Sequence, residues 1–133
     1  MSEPVVLDAS ALLALLNEEP GADEVAEAVA GGRCRMSAVN WSEVLARIPR
    51  MKDAERDRLD PLLGSLPQLV AVVAFDEADA ERAAALRPLT ERQGLSLGDR
   101  ACLALAVRSG LRVLTADRAW ADVEVGVEIR LRR

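Results

Sequence analysis

Short apolar runs alternate along this chain with longer stretches of helical periodicity. Val5-Val6-Leu7 is an uninterrupted apolar run ending on Asp8, which predicts a buried strand. From Ala9 to Leu16 the leucines at 12, 13, 15 and 16 predict a helix with a core-facing side. A turn at Glu18-Glu19-Pro20-Gly21 separates it from a second helix, Ala22 to Ala30, which Gly31-Gly32 stops. Arg33 to Ala38 predicts a strand, and Asn40 to Arg47 a helix with Val44, Leu45 and Ile48 on one side. Lys52 to Leu63 predicts a polar amphipathic helix interrupted near Pro61. Leu69 to Phe75 is the clearest strand signal. Asp76 opens a long alanine-rich helix, expected to be disturbed or ended near Pro88. Ser96 to Ser109 predicts another helix, with Gly110 suited to its stop. Arg112 to Thr115 predicts a strand leading to Asp117, and Val127, Ile129 and Leu131 alternate with Glu128 and Arg130 as in a half-exposed last strand.

Strands alternating with helices imply an α/β fold, a parallel sheet covered by helices on both faces. No repeat, low-complexity segment or linker divides the chain, so residues 1–133 are expected to form a single domain. In such sheets the binding crevice lies beyond the carboxyl ends of the strands. Asp8 and Asp117 fall just past predicted strand ends, and Glu43 and Asp99 in the first turn or so of helices. All four are expected on one rim.

Composition narrows the chemistry. Half of the 133 residues are hydrophobic and 29% are charged, a globular balance. No apolar run approaches the ~20 residues that span a bilayer. The opening Met1-Ser2-Glu3-Pro4 lacks a basic region followed by a signal-type stretch, so the expected location is cytoplasmic, with no membrane partner. Cys34 and Cys102 form no CxxC and are expected as reduced, packed thiols. Histidine is absent, which removes Ser-His-Asp and Cys-His catalysis and every histidine-ligated metal site. Acid–base or metal chemistry must then rest on carboxylates. Trp41, Trp120 and Phe75 are the only aromatics, too few for a base-stacking platform. The net charge of −5 argues against a nonspecific nucleic-acid binder, but less against a nuclease whose acids hold cations that meet phosphate. Lys52 is the only lysine, and arginine is the residue that grips phosphate with two parallel hydrogen bonds.

Each candidate acid also has a structural reading. Asp8 follows three apolar residues, where a charge is costly without a partner. It suits either a helix cap helped by Ser10 or a metal ligand supported by that hydroxyl. Glu43, in Ser37-Ala38-Val39-Asn40-Trp41-Ser42-Glu43-Val44, sits where the helix macrodipole favours an acid, and Ser37, Asn40 and Ser42 suit capping. Asp99 stands at the capping-box position of a helix that Ser96 begins. Asp117 is a loop aspartate after a strand. Together they fit Mg²⁺, a hard cation that takes oxygen ligands and keeps several waters. Such an ion lowers the pKa of bound water and offsets phosphoryl charge, so phosphodiester hydrolysis suits this histidine-free set best.

At these motifs the chain resembles the PIN-domain family, and within it the VapC-type toxins of bacterial toxin–antitoxin pairs. The resemblance rests on Val6-Leu7-Asp8-Ala9-Ser10, on the Glu43 segment, on Leu97-Gly98-Asp99-Arg100-Ala101-Cys102-Leu103-Ala104-Leu105-Ala106, and on Val113-Leu114-Thr115-Ala116-Asp117-Arg118-Ala119-Trp120. It implies a three-layer α/β/α sandwich with a central parallel sheet and Mg²⁺- or Mn²⁺-dependent cleavage of RNA. It makes Asp8, Glu43, Asp99 and Asp117 the acidic site, with Ser10 and Thr115 as hydroxyl support. The mechanism expected on that site puts Asp8, Asp99 and Asp117 on the metal, Glu43 on metal or attacking water, and Asn40 in support. It also implies a homodimer and a cognate antitoxin. Arg100 and Arg118, beside the acidic motifs, are candidates for holding phosphate, with a solvated salt bridge as the plainer reading. Leu45, Ile48, Leu59, Leu62 and Leu63 exceed what a short helical pair needs and are expected to supply some of the dimer contact.

Two other classes deserve comparison. A PIN-fold interaction module without nuclease activity would have no reason to keep the acidic quartet. A phosphatase of the haloacid-dehalogenase kind would want an aspartate where Ser10 stands, and a phospho-receiver would want a late lysine, whereas Lys52 lies mid-chain.

Overall fold

Three-residue and four-residue apolar runs are too short for helices but long enough to cross a small sheet, and that is how the chain uses them. A computed structural model describes residues 3–131, apart from the side chains of residues 58, 62 and 131. The strands are β1 (Val5–Leu7), β2 (Cys34–Ser37), β3 (Val70–Val73), β4 (Val113–Thr115) and β5 (Ile129–Leu131). Between them run α1 (Ala9–Leu16), α2 (Ala22–Ala30), α3 (Ala38–Arg47), α4 (Asp53–Leu63), α5 (Leu66–Leu69), α6 (Glu77–Thr90) and α7 (Leu97–Ser109). Among the described residues no helix is long and apolar enough to cross a membrane.

All strand pairs are parallel, in the order β3-β2-β1-β4-β5. The chain steps outward from β1 through β2 to β3, then returns to place β4 on the other side of β1. The winding therefore reverses between β1 and β4, where Val6 lies opposite Val113 and Leu7 opposite Leu114. Successive side chains of a strand point to opposite faces. Val5, Leu7, Cys34, Met36, Val70 and Leu114 accordingly join Leu12, Val25, Val44 and Leu59 in one core layer. Val6 and Val113 meet Ala83, Leu86, Cys102, Leu103 and Trp120 in the other. The result is the expected α/β/α sandwich.

Some element boundaries differ from expectation. Helix α4 runs through Pro61 and α6 runs through Pro88. A proline removes the hydrogen bond to the carbonyl four residues earlier. Residues 57, 61, 84 and 88 are all exposed, so the carbonyls that lose a donor can turn to water. Strand β3 is shorter than the apolar run suggests, because Leu69 closes α5 and Ala71 and Val72 are exposed on an edge strand. Strand β5 starts at Ile129, after a turn that Gly126 makes at a φ of 87°. Of the five residues expected at a dimer contact, Leu59 is fully buried within its own chain and is unavailable. Leu45 is 46% exposed, Ile48 and Leu63 are half-buried, and Leu62 lies outside the described side chains.

Because Pro88 sits inside a continuous helix, Pro88→Ala is expected to raise stability by about 1–3 kcal/mol. Thermal and urea unfolding check this. If the helix ended at Pro88, the substitution would be neutral or would loosen the unfolded chain and lower stability.

Candidate active site

The reversal between β1 and β4 opens a crevice at the carboxyl ends of those strands. Asp8 ends β1 there and is only 3% exposed. Its carboxylate is held by three groups. Ala11 N–H donates to Oδ1 at 2.9 Å, which makes Asp8 the N-cap of α1. Ser10 Oγ donates at 2.8 and 2.9 Å, and Thr115 Oγ1, from the end of β4, donates to Oδ2 at 2.6 Å. Both hydroxyls also accept a backbone N–H, Ser10 from Ala116 at 3.0 Å and Thr115 from Asp117 at 3.0 Å. Those amides orient the hydroxyl protons toward Asp8. The cage ties β1, α1 and the loop after β4 through a single carboxylate.

Burial nonetheless dominates, and pushes the Asp8 carboxyl up to about 6 against the downward pull of Thr115, Ala11 and Ser10. The Asp99 charge adds to the rise, which places the two carboxylates within electrostatic reach. Asp99 sits at the third position of α7. It forms a capping box with Ser96, taking Ser96 N–H at 2.9 Å and donating its own N–H to Ser96 Oγ at 3.2 Å.

Glu43 arrives from α3, whose N-cap is Ser37. Asn40, 1% exposed, donates from Nδ2 to Glu43 Oε1 at 2.9 Å and to the Gly98 carbonyl at 2.9 Å. The Glu43 carboxylate lies against the bare Cα of Gly98 in the first turn of α7. Under this rim lies Cys102, fully buried, whose thiol is pushed well up by burial and by the charges of Asp8, Asp99 and Glu43. Its shared sensitivity to three acids marks their common side of α7. Asp117 caps the helical turn Arg118–Trp120, accepting Ala119 N–H at 2.9 Å. Its link to the others runs through its backbone N–H and Thr115.

The two arginines go elsewhere. Arg100 donates from Nη1 to the Ala83 carbonyl of α6 at 2.8 Å, and its Nε is buried without a partner. It lines a groove of about 310 Å³ with Arg87, Thr90, Ser96 and Leu97, beside the acidic rim. Arg118 is exposed. A larger concavity, about 380 Å³, lies at the opposite end of the sheet among Glu3, Glu24, Glu27, Arg33 and Arg112. Its position at the amino ends of the strands separates it from these carboxylates.

A model of the PIN domain matches residues 5–126. The chain belongs to the PIN domain family. Its fold is also that of several crystal structures. VapBC2 from Rickettsia felis, bound to a DNA fragment from their promoter, superposes with a TM-score of 0.72 at 15% identity, covering 97% of this chain and 98% of that one. DNA-bound VapBC from Salmonella typhimurium gives 0.70 at 19%, covering 96% and 97%. VapBC-5 from Mycobacterium tuberculosis, a member of the VapBC family of toxin-antitoxin systems, gives 0.68 at 24%, covering 98% and 99%. No curated protein matches the chain.

The donor set of this PIN domain suits a hard divalent cation, since every acidic group on the rim offers oxygen and no histidine competes. The unpartnered, buried Oδ1 of Asn40 adds a further oxygen acceptor beside Glu43. Among the described residues no three acidic or thiol side chains are close enough to enclose an ion directly. Capping holds Asp99 and Asp117 back, so contact through water, which Mg²⁺ favours, needs less rearrangement than direct ligation.

Gly98 is the site residue the sequence reading left unremarked. Its signal was a glycine in the first turn of a helix, where alanine forms helix better.

Asp8 also sets a pH dependence. A carboxyl raised to about 6 favours the folded state when protonated, so its contribution is complete below about pH 4 and is lost as pH rises through 6. The rise corresponds to about 3 kcal/mol. In EDTA, Asp8→Asn is therefore expected to stabilise the protein by about 1–2 kcal/mol at pH 7.5, less than the full amount because an amide offers the two hydroxyls only one acceptor. The gain should vanish near pH 4. Urea titrations at both pH values measure it, and equal destabilisation at both would show that the three hydrogen bonds outweigh burial.

Proposed function

We propose that this PIN domain is a metal-dependent ribonuclease acting as the VapC-type toxin of a toxin–antitoxin pair. The observation that carries the reading is the Asp8 carboxylate, buried at the sheet's winding reversal with Asp99 and Glu43 on the same rim. A fold stabilised for its own sake gains little from a charge desolvated next to other acids. A buried carboxylate so shifted, with other acids beside it, belongs to sites that bind cations or move protons.

Asp8, Asp99 and Asp117 are assigned to hold Mg²⁺, with Mn²⁺ as a substitute. Glu43 completes the set, on the metal or on the attacking water. A bound divalent cation there supplies positive charge at the scissile phosphate and a nucleophile at neutral pH. Ser10 and Thr115 orient Asp8 through the hydroxyl pair described above. Asn40 orients Glu43. Arg118, exposed beside Asp117, and Arg100, lining the adjacent groove, are the candidates to meet phosphates along the RNA strand.

The partners follow from the same reading. An antitoxin that lays an amphipathic segment near α3 and directs an arginine or lysine at the carboxylates would compete with Mg²⁺ by charge-assisted hydrogen bonds. The solved structures named VapBC, which share the fold, support an antitoxin partner. A homodimer through α3 is also proposed, with the 46% exposed Leu45 at its centre and Ile48 beside it.

Wild-type protein is expected to cleave RNA with Mg²⁺ or Mn²⁺ and to stop in EDTA. Asp99→Asn should lower the rate by at least about a hundredfold while the circular dichroism spectrum is unchanged. Expressed alone in bacteria, the wild type should arrest growth and Asp99→Asn should not. Cleavage insensitive to EDTA would overturn the metal dependence, and cleavage absent under every metal condition would leave the PIN fold as an interaction module. For the dimer, Leu45→Glu should convert a dimer to a monomer by light scattering at high micromolar concentration, and a wild type that is already monomeric there contradicts that contact.

A further inference from the structure

We propose that Gly98 is a positioning residue of the acidic site: the side chain it lacks, together with the Asn40 amide, fixes where the Glu43 carboxylate stands. The inference rests on the metal-dependent reading above. A Cβ placed at Gly98 would lie 2.5 Å from Glu43 Oε2 and 2.8 Å from both Cδ and Oε1. Such separations are shorter than nonbonded carbon contacts allow. The Glu43 carboxylate is the end of a flexible side chain, so a methyl group at position 98 would displace it and leave the helices in place.

The opposing restraint is Asn40. Its Nδ2 bridges Glu43 Oε1 and the Gly98 carbonyl, both at 2.9 Å. Both neighbours are acceptors, which fixes the amide orientation, because the flipped amide would set oxygen against oxygen. Oδ1 then has no donor although Asn40 is 1% exposed. A leucine or valine would fill the volume without leaving a buried oxygen unpaired. The amide is instead spent on holding one carboxylate against one glycine. A glycine in the first turn of α7 is itself unfavourable for the helix. Two locally unfavourable choices, made by α3 and α7, converge on the position of Glu43.

The test uses the full chain without added metal, titrated with Mn²⁺ alone by electron paramagnetic resonance or calorimetry. Gly98→Ala should weaken Mn²⁺ binding roughly tenfold. Its melting temperature without metal should be no lower than that of the wild type, since alanine favours the helix. In a Glu43→Gln background, Gly98→Ala should change Mn²⁺ affinity less than about twofold, the non-additivity expected of two residues acting through one contact. Asn40→Ala should show the same dependence on Glu43, and it carries the test if Gly98→Ala fails to fold. Unchanged Mn²⁺ affinity in Gly98→Ala overturns the positioning role while leaving the metal site standing. A loss as large with Glu43→Gln as without it also overturns that role, because the effect would then arise elsewhere in α7. A wild type that binds no Mn²⁺ overturns the metal-dependent reading and this inference with it.

Discussion

The carboxylate of Asp8 is the point on which the described architecture turns. It ends the central strand, caps the first helix and accepts the hydroxyl that closes β4 against β1. Each of these roles needs an acceptor with several lone pairs, and an ionised carboxylate is the side chain that has them. The same burial that makes it a good joint makes its charge costly, and the local donors offset only part of that cost. The site thus begins as a compromise between holding the fold and keeping a charge.

The remaining acids follow from parallel topology. When strands run in one direction, the helices that follow them begin at one edge of the sheet. Their unpaired N–H groups and positive dipole ends then face the same crevice. Asp8 and Asp117 satisfy such an end, at α1 and at the turn after β4, whereas Asp99 caps α7, which follows α6 instead of a strand and reaches the same rim by packing against α3. Capping and cation binding are therefore not rival explanations for these aspartates. The caps give each acid a fixed place and a partial positive environment that lets several negative charges share one rim. Glu43 has no such cap to hold, and its place is set by Asn40 and Gly98.

Acidity of the whole chain belongs to this arrangement too. With 22 acidic residues against 17 basic, the surface offers a polyanion little general attraction. For the proposed RNA substrate, approach then depends on local groups at the crevice. The groove beside α7 carries Arg87 and Arg100 together with Glu91, a mixed lining that favours a defined path over adhesion along the whole face.

Periodicity alone determined the alternation of strands and helices, the parallel sheet and the end of that sheet where the candidate acids lie. These features depend on local patterns, apolar runs of three or four residues and leucines at helical spacing, which the chain carries explicitly. The absence of histidine narrowed the candidate chemistry to carboxylates in the same way. The proline effects were misread because sequence does not say which side of a helix faces water, and Pro61 and Pro88 fall on the outward side. Leu59 was misassigned to a contact surface for the same reason, since only packing shows that α4 turns it into the core. Sequence marked Asp8, Glu43, Asp99 and Asp117 but not which oxygens meet which donors. The bond from Thr115 to Asp8 joins residues 107 apart, and the Asn40 bridge to Gly98 spans 58. Such contacts leave no local pattern, because they exist only once β4 has been laid beside β1 and α7 has been brought against α3.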